Sequence, residues 1–249
     1  MNFTKMVLLT SVISMGMISA SAAADLAMKP SEPAAVVMPF SWTGFYAGLH
    51  AGYEDISGKT RDTNGGVLPG PFSSDGNSAR VGGQIGYNYQ FDMPFVVGIE
   101  ADGGYSFAKG TGTIPSSTSP YHQNILIDEG FYGDITARFG YSIDLGNGSA
   151  ILPYAKFGYA YRDGKTSQCT TKPGYSCNSG NGRSGWTAGG GVEYALNMHW
   201  SVKVEGMYTD LGSVKHSQTS ITDPPINYVY TAKTKAHDWS VVAGINYRF

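Results

Sequence analysis

Apolar and polar residues alternate with a period of two along eight stretches of this chain. That is the signature of a β-strand with one greasy face and one wet face. The clearest stretch is 79–91, where Val81, Gly83, Ile85, Tyr87, Tyr89 and Phe91 alternate with Gly82, Gln84, Gly86, Asn88 and Gln90. The same reading predicts strands over 45–53, 95–107, 130–142, 150–161, 185–196, 200–210 and 238–249. In the last of these, Trp239, Val241, Ala243, Ile245 and Tyr247 share one face, and Asp238, Ser240, Gly244, Asn246 and Arg248 the other. Each stretch is about as long as a tilted strand needs to be to cross a bilayer.

The connections alternate too. Residues 91–94, 144–148 and 197–199 are short and rich in Gly, Asn and Asp, as tight turns require. Between them, 54–78, 108–129, 162–184 and 211–234 are long and polar. The pattern predicts an all-β fold: an eight-stranded antiparallel transmembrane β-barrel with short periplasmic turns and four long extracellular loops. An even strand count puts both ends of the barrel on the periplasmic side. A soluble barrel built from these strands would expose a continuous aromatic belt to water. An open sheet in lipid would leave backbone groups unpaired, so only closure suits a membrane.

The N-terminus reads as a secretory signal peptide, with Lys5, an apolar run over 6–18 and the small residues Ser21 to Ala24. Cleavage after Ala24 is expected, giving a signal peptide over 1–24, a Pro/Ala-rich periplasmic leader over 25–41 and the barrel over 42–249. The expected location is the bacterial outer membrane. Beyond the signal, no apolar stretch is long enough for a spanning helix, and mean hydropathy is −0.18. A barrel accounts for that, because half of every strand faces water. The 34 glycines, 17 tyrosines and 11 phenylalanines would also suit a low-complexity disordered chain, but here the aromatics keep a two-residue register. With a net charge of −2, nothing argues for a nucleic-acid partner. The C-terminal spacing Gly244, Tyr247, Phe249 matches the signal by which the barrel assembly machinery recognises a last strand.

Candidate chemistry lies first on the polar faces. Glu100, Asp102, Asp134, Arg138, Lys156, Glu193, Lys203, Glu205 and Asp238 are all expected to point inward. Glu100 should lie opposite Arg138, and Glu193 opposite Lys203. An eight-stranded barrel is just wide enough to be filled by side chains. A salt-bridged plug is therefore favoured over an ion path, with Gly82, Gly86, Gly98, Gly104, Gly189 and Gly191 making room for larger neighbours. Catalysis is not expected. His237 and Ser240, three apart on a strand, point to opposite faces. His50 faces the lumen, where Asp238 could approach it, but no nucleophile accompanies them. Tyr and His ligate haem iron in other proteins. That makes Tyr121 and His122 in the second loop and His216 in the fourth the candidates for haemin; the alternative is solvated loop side chains. Cys169 and Cys177 are too few for a thiolate metal site and are expected to form a disulfide within the third loop.

Four segments carry a resemblance. Residues 42–48 (WTGFYAG) follow the Pro/Ala leader. With 153–161 (PYAKFGYAY), 189–194 (GGGVEY) and 244–249 (GINYRF), they resemble the small porin-family outer-membrane proteins of alphaproteobacteria. That group includes surface antigens and haemin-binding proteins. The resemblance implies a non-enzymatic barrel that stabilises the envelope and presents loops to a host. Its implied partners are outer-membrane lipid and lipopolysaccharide, the assembly machinery and a host surface ligand. Haemin binding belongs to some members only.

Overall fold

The computed structural model describes residues 40–62, 72–92, 94–114, 123–128, 130–146, 148–170, 178–219 and 229–249. In chain order the strands are β1 (Gly44–Asp62), β2 (Phe72–Gln90), β3 (Phe95–Ser106), β4 (Lys109–Ile114), β5 (Gln123–Asp128) and β6 (Phe131–Tyr141). They continue as β7 (Ile143–Gly146), β8 (Ser149–Thr170), β9 (Asn178–Ala195), β10 (Trp200–Thr219) and β11 (Val229–Arg248). Eight of them form the wall, each antiparallel to the next: β1, β2, β3, β6, β8, β9, β10 and β11. The ring closes where β11 pairs with β1 over a register running from Tyr46–Arg248 to Asp62–Ala232. The short strands β4 and β5 form a hairpin beyond the ends of β3 and β6, and β5 also pairs with β8. No helix among the described residues is long and apolar enough to cross a membrane.

Every predicted strand has a counterpart in the wall, but the predicted loops are shorter than expected. Strand β1 runs to Asp62 and β2 starts at Phe72, so most of the first polar connection is ribbon. The third and fourth behave alike, with β8 reaching Thr170, β9 starting at Asn178, β10 reaching Thr219 and β11 starting at Val229. The polarity that suggested loops reflects strands that have left the hydrocarbon and no longer need an apolar outer face. Alternation persists there in burial: Glu54, Ile56 and Thr60 are buried while Asp55, Lys59 and Arg61 are exposed. At the other end the turns are tight. Gly146 and Gly148 have φ of 77° and 76°, a left-handed conformation that favours glycine, where β7 turns into β8.

The wall is apolar outside and polar inside. Phe45, Leu49, Ile85, Phe131, Phe157, Val204 and Trp239 are among the large exposed side chains, while charged residues fill the interior. The inward glycines sit against large side chains. A Cβ on Gly86 would lie 2.5 Å from the ring of Tyr46, one on Gly82 2.7 Å from His50 Nε2, and one on Gly189 2.6 Å from Met207 Sδ. The outward Gly103 and Gly133 are different, since a Cβ there would approach nothing closer than 3.5 or 3.8 Å.

Substituting alanine at Gly104, whose Cβ would meet Gly82 Cα at 2.6 Å, is therefore expected to destabilise the barrel by about 1–3 kcal/mol. Gly133→Ala should be close to neutral. Urea unfolding in detergent, followed by the loss of heat-modifiable migration on gels, measures both.

Candidate functional site: the lumen charge network

At the middle of the lumen, one carboxylate gathers three strands. Glu100 on β3 accepts hydrogen bonds from Tyr46 Oη at 2.5 Å and Lys156 Nζ at 2.7 Å, and Lys203 Nζ lies 3.3 Å away. Glu205 completes the group, 3.1 Å from Lys156 and 3.6 Å from Lys203, and accepts from Tyr154 Oη at 2.8 Å. A second centre lies beside it. Arg138 donates to Glu193 at 2.5 Å and stacks its guanidinium 3.7 Å from the centroid of the Tyr154 ring. Glu193 also accepts from Ser201 at 2.5 Å and Asn246 at 2.9 Å, and Asn246 in turn accepts from Gln84 at 2.6 Å. These bonds draw a side chain from each of the eight wall strands into one layer.

A further layer lies on the extracellular side. His50 places Nδ1 2.6 Å from Gln84 Oε1 and 3.3 Å from Asp102, and its Nε2 is 2.7 Å from Tyr132 Oη. Arg80 stacks 3.9 Å over Tyr132, donates to Ser240 at 2.9 Å and approaches Glu54 and Asp102 at 3.9 Å each. Arg162 donates to Asp134 at 2.7 Å and lies 3.5 Å from Asp238. The void lined by His50, Arg80, Asp102, Lys156 and Glu205, among others, has a volume of about 10 Å³, room for a single water. The periplasmic end is apolar. Trp42, fully buried, packs edge-on to Phe40 with ring centroids 4.9 Å apart in a buried cluster that also holds Val96, Leu152 and Tyr154, and its Nε1 donates to Ser142 at 3.0 Å. Arg248 lies 4.7 and 4.6 Å over the rings of Phe40 and Trp42 and donates to the Ser41 carbonyl at 3.1 Å.

All nine charged positions named from the sequence face this interior, but their expected partners change. Glu193 does lie opposite Lys203 in register, yet its carboxylate turns to Arg138 across β8. Glu100 lies opposite Thr136, and Arg138 Nη1 reaches it only at 3.9 Å. In so narrow a lumen, side chains span to the next strand but one and across the axis, so neighbours in register are not the nearest charges. Asp238 is with Arg162, and His50 meets Asp102 instead. His237 lies outside the wall, 6.0 Å from the Tyr208 ring, whereas Ser240 faces in. His216 is on strand β10, opposite Ala232, and not in a loop. Tyr121, His122 and Cys177 fall outside the described residues, as does the side chain of Cys169 on β8.

Sequence reasoning passed over Glu54, Arg80 and Arg162. Glu54 and Arg162 stand where alternation outside fades into polar sequence and were assigned to loops. With them, the inward carboxylates Glu54, Glu100, Asp102, Asp134, Glu193, Glu205 and Asp238 are matched by Arg80, Arg138, Lys156, Arg162, Arg183, Lys203 and Arg248. Seven against seven leaves the described lumen formally neutral.

Removing one partner of a buried pair strands the other. Glu100→Ala, which takes the main counter-charge from both Lys156 and Lys203, is expected to cost about 3–5 kcal/mol in urea unfolding. Lys235→Ala should cost under about 1 kcal/mol, because its pair with Asp210 lies at the exposed wall.

Comparison with known proteins agrees with this architecture. The chain is 32% identical to the 31 kDa outer-membrane immunogenic protein of Brucella melitensis, over 98% of this chain and 100% of the relative. It is 30% identical to the 25 kDa outer-membrane immunogenic protein of Brucella abortus, over 93% and 91% of the two. Among solved structures, the outer membrane protein OprG of Pseudomonas aeruginosa superposes with a TM-score of 0.53 at 15% identity, over 84% of this chain and 98% of that one, which is a likeness of fold. Residues 10–249 match the family described as the outer membrane protein beta-barrel domain. An apolar wall around a neutral, side-chain-filled lumen, together with these matches, makes the chain a member of that outer-membrane β-barrel family.

Proposed function

We propose that this protein is a structural, non-enzymatic component of the outer membrane, with a lumen that does not conduct and an extracellular end that meets the host. The central layer carries the reading. Glu100, Lys156, Lys203 and Glu205 bond to one another across the axis and occupy the space through which an ion would pass. An ion entering there would have to separate charges that are desolvated and already paired, which is costly. Equal numbers of inward acids and bases supply no net field to draw one sign of ion. The Phe40–Trp42 cluster adds an apolar seal at the periplasmic mouth.

The non-enzymatic reading rests on the partners of the inward histidine and serine. His50 is committed to Gln84, Tyr132 and Asp102, and Ser240 Oγ accepts from Arg80, so no base stands beside a nucleophile in this cluster. Surface presentation is supported by the ribbons that carry β1, β2, β8, β9, β10 and β11 beyond the aromatic wall. The names of the Brucella relatives, which call them immunogenic, are in keeping with such exposure.

Planar bilayers test the lumen. The refolded protein is expected to give no discrete current steps, while Lys156→Ala combined with Glu205→Ala, which empties the middle of the layer, should give a measurable leak. Regular steps from the unaltered protein would overturn the closed-lumen reading. In cells lacking the protein, increased sensitivity to detergent that is restored by expressing the chain is the expected sign of its role in the envelope.

A further inference from the structure

We propose that the outer wall over β10, β11 and β1, just above the aromatic girdle, is a binding site for the phosphorylated headgroup of lipopolysaccharide. This depends on the outer-membrane location and not on whether the lumen conducts. On β11 the outward positions run upward from Val241 through Trp239 and His237 to Lys235 and Lys233, and on β1 from Tyr53 to Lys59 and Arg61. Register brings these cations together. Lys59 lies opposite Lys235, Arg61 opposite Lys233, and the backbone of Lys215 on β10 opposite Lys233 as well. Like charges directly across a ladder destabilise it, so each of these rungs is a local cost to the fold.

Ordinary explanations for such a cluster do not apply. Lysines protect free sheet edges from aggregation, but β1 and β11 are each paired on both sides. Nor, among the described side chains, are exposed basic residues spread evenly around the wall. Among described side chains, the exposed lysines and arginines are Lys59, Arg61, Lys109, Lys233 and Lys235, and four of these five lie on the β1–β11 seam. The rungs below carry Asp55, Asp75 and Asp210, and Asp210 reaches up to within 3.6 Å of Lys235. The two upper rungs hold no carboxylate. One reads Ser73, Lys59, Lys235, Ser213 and the other Arg61, Lys233, Lys215. The backbone is fixed there by a bulge in β10, where Gly212 takes a φ of 67° and donates to Asp210 at 2.8 Å.

Height selects the ligand. Tyr208 packs on Trp239 at 4.9 Å and on Trp186 at 5.5 Å, and with Tyr53 these form the girdle that marks the headgroup level. Lys235 is four residues beyond Trp239, so with ordinary strand rise and tilt it stands about 10 Å higher. In the outer leaflet, that level holds the phosphates and acidic inner sugars of lipopolysaccharide. Below the cations, Ala51 and Ala243 face each other on the outer wall, leaving a smooth apolar surface for the acyl chains. Lysine and arginine are the donors that phosphate groups take.

The test uses the full mature chain refolded into phosphatidylcholine nanodiscs, with purified rough lipopolysaccharide, the same material dephosphorylated, and inorganic phosphate as probes. Amine acetylation read by mass spectrometry is expected to slow at Lys59, Lys233 and Lys235 with intact lipopolysaccharide, and not at Lys109. Dephosphorylated material and millimolar inorganic phosphate should leave the rates unchanged. The combination Lys59→Gln, Arg61→Gln, Lys233→Gln and Lys235→Gln should weaken binding of lipopolysaccharide about tenfold or more. Unchanged acetylation with intact lipopolysaccharide, or equal slowing by the dephosphorylated form or by free phosphate, would overturn the proposal. So would undiminished binding by the quadruple variant. The acetylation arm decides even if that variant fails to fold.

Discussion

Closure of eight strands into a ring is the constraint from which the other features follow. A backbone in hydrocarbon must pair every amide, and here the register from Tyr46–Arg248 to Asp62–Ala232 removes the last two edges. A ring of eight strands encloses a channel only as wide as the side chains that fill it. Polar residues must face inward because lipid occupies the outside, and within that width charges must find counter-charges. Glu100 with Lys156 and Lys203, and Arg138 with Glu193, are the outcome. The same confinement explains why Gly82, Gly86 and Gly189 stand beside His50, Tyr46 and Met207, since each large inward side chain needs an empty position next to it.

The barrel changes character along its axis. At the periplasmic mouth, aromatic packing of Phe40 and Trp42 under Arg248 ties the segment before the first strand to the last strand. The central layer ties all eight wall strands by charge and hydrogen bonding. Farther out, lumen packing continues through Glu54, Ile56, Thr60 and Thr234 while the outer face turns from aromatic to basic. A single ribbon architecture thus meets periplasm, hydrocarbon, lipid headgroups and the extracellular medium in turn. The outward residues at each height reflect which of these they face.

Most of the fold was legible because lipid enforces a strict two-residue rhythm wherever it touches the wall. Strand β2 could be read residue by residue from Val81 to Tyr89 for that reason. Legibility failed where lipid ends. Outside the hydrocarbon the outer face of a strand turns polar as well, so β1 beyond Tyr53, β8 beyond Tyr161 and β10 beyond Asp210 looked like loops, and Glu54, Arg162 and His216 were misplaced with them. The inward charges were identifiable by face, but not by partner. Strand spacing favours the residue across the ladder, as for Glu193 and Lys203, whereas the narrow lumen lets Arg138 reach Glu193 past an intervening strand. Periodicity carries no information about reach across an axis.

Amide hydrogen exchange in lipid nanodiscs tests closure around this network most directly. If the ring is sealed, the seam amides of Leu49, Ala51, Val241 and Ala243 will be protected on the same timescale as those of Ile85 and Ile99 in the β2–β3 pair. Rapid exchange confined to the seam, with the remaining wall protected, would mean an open sheet and would contradict the account.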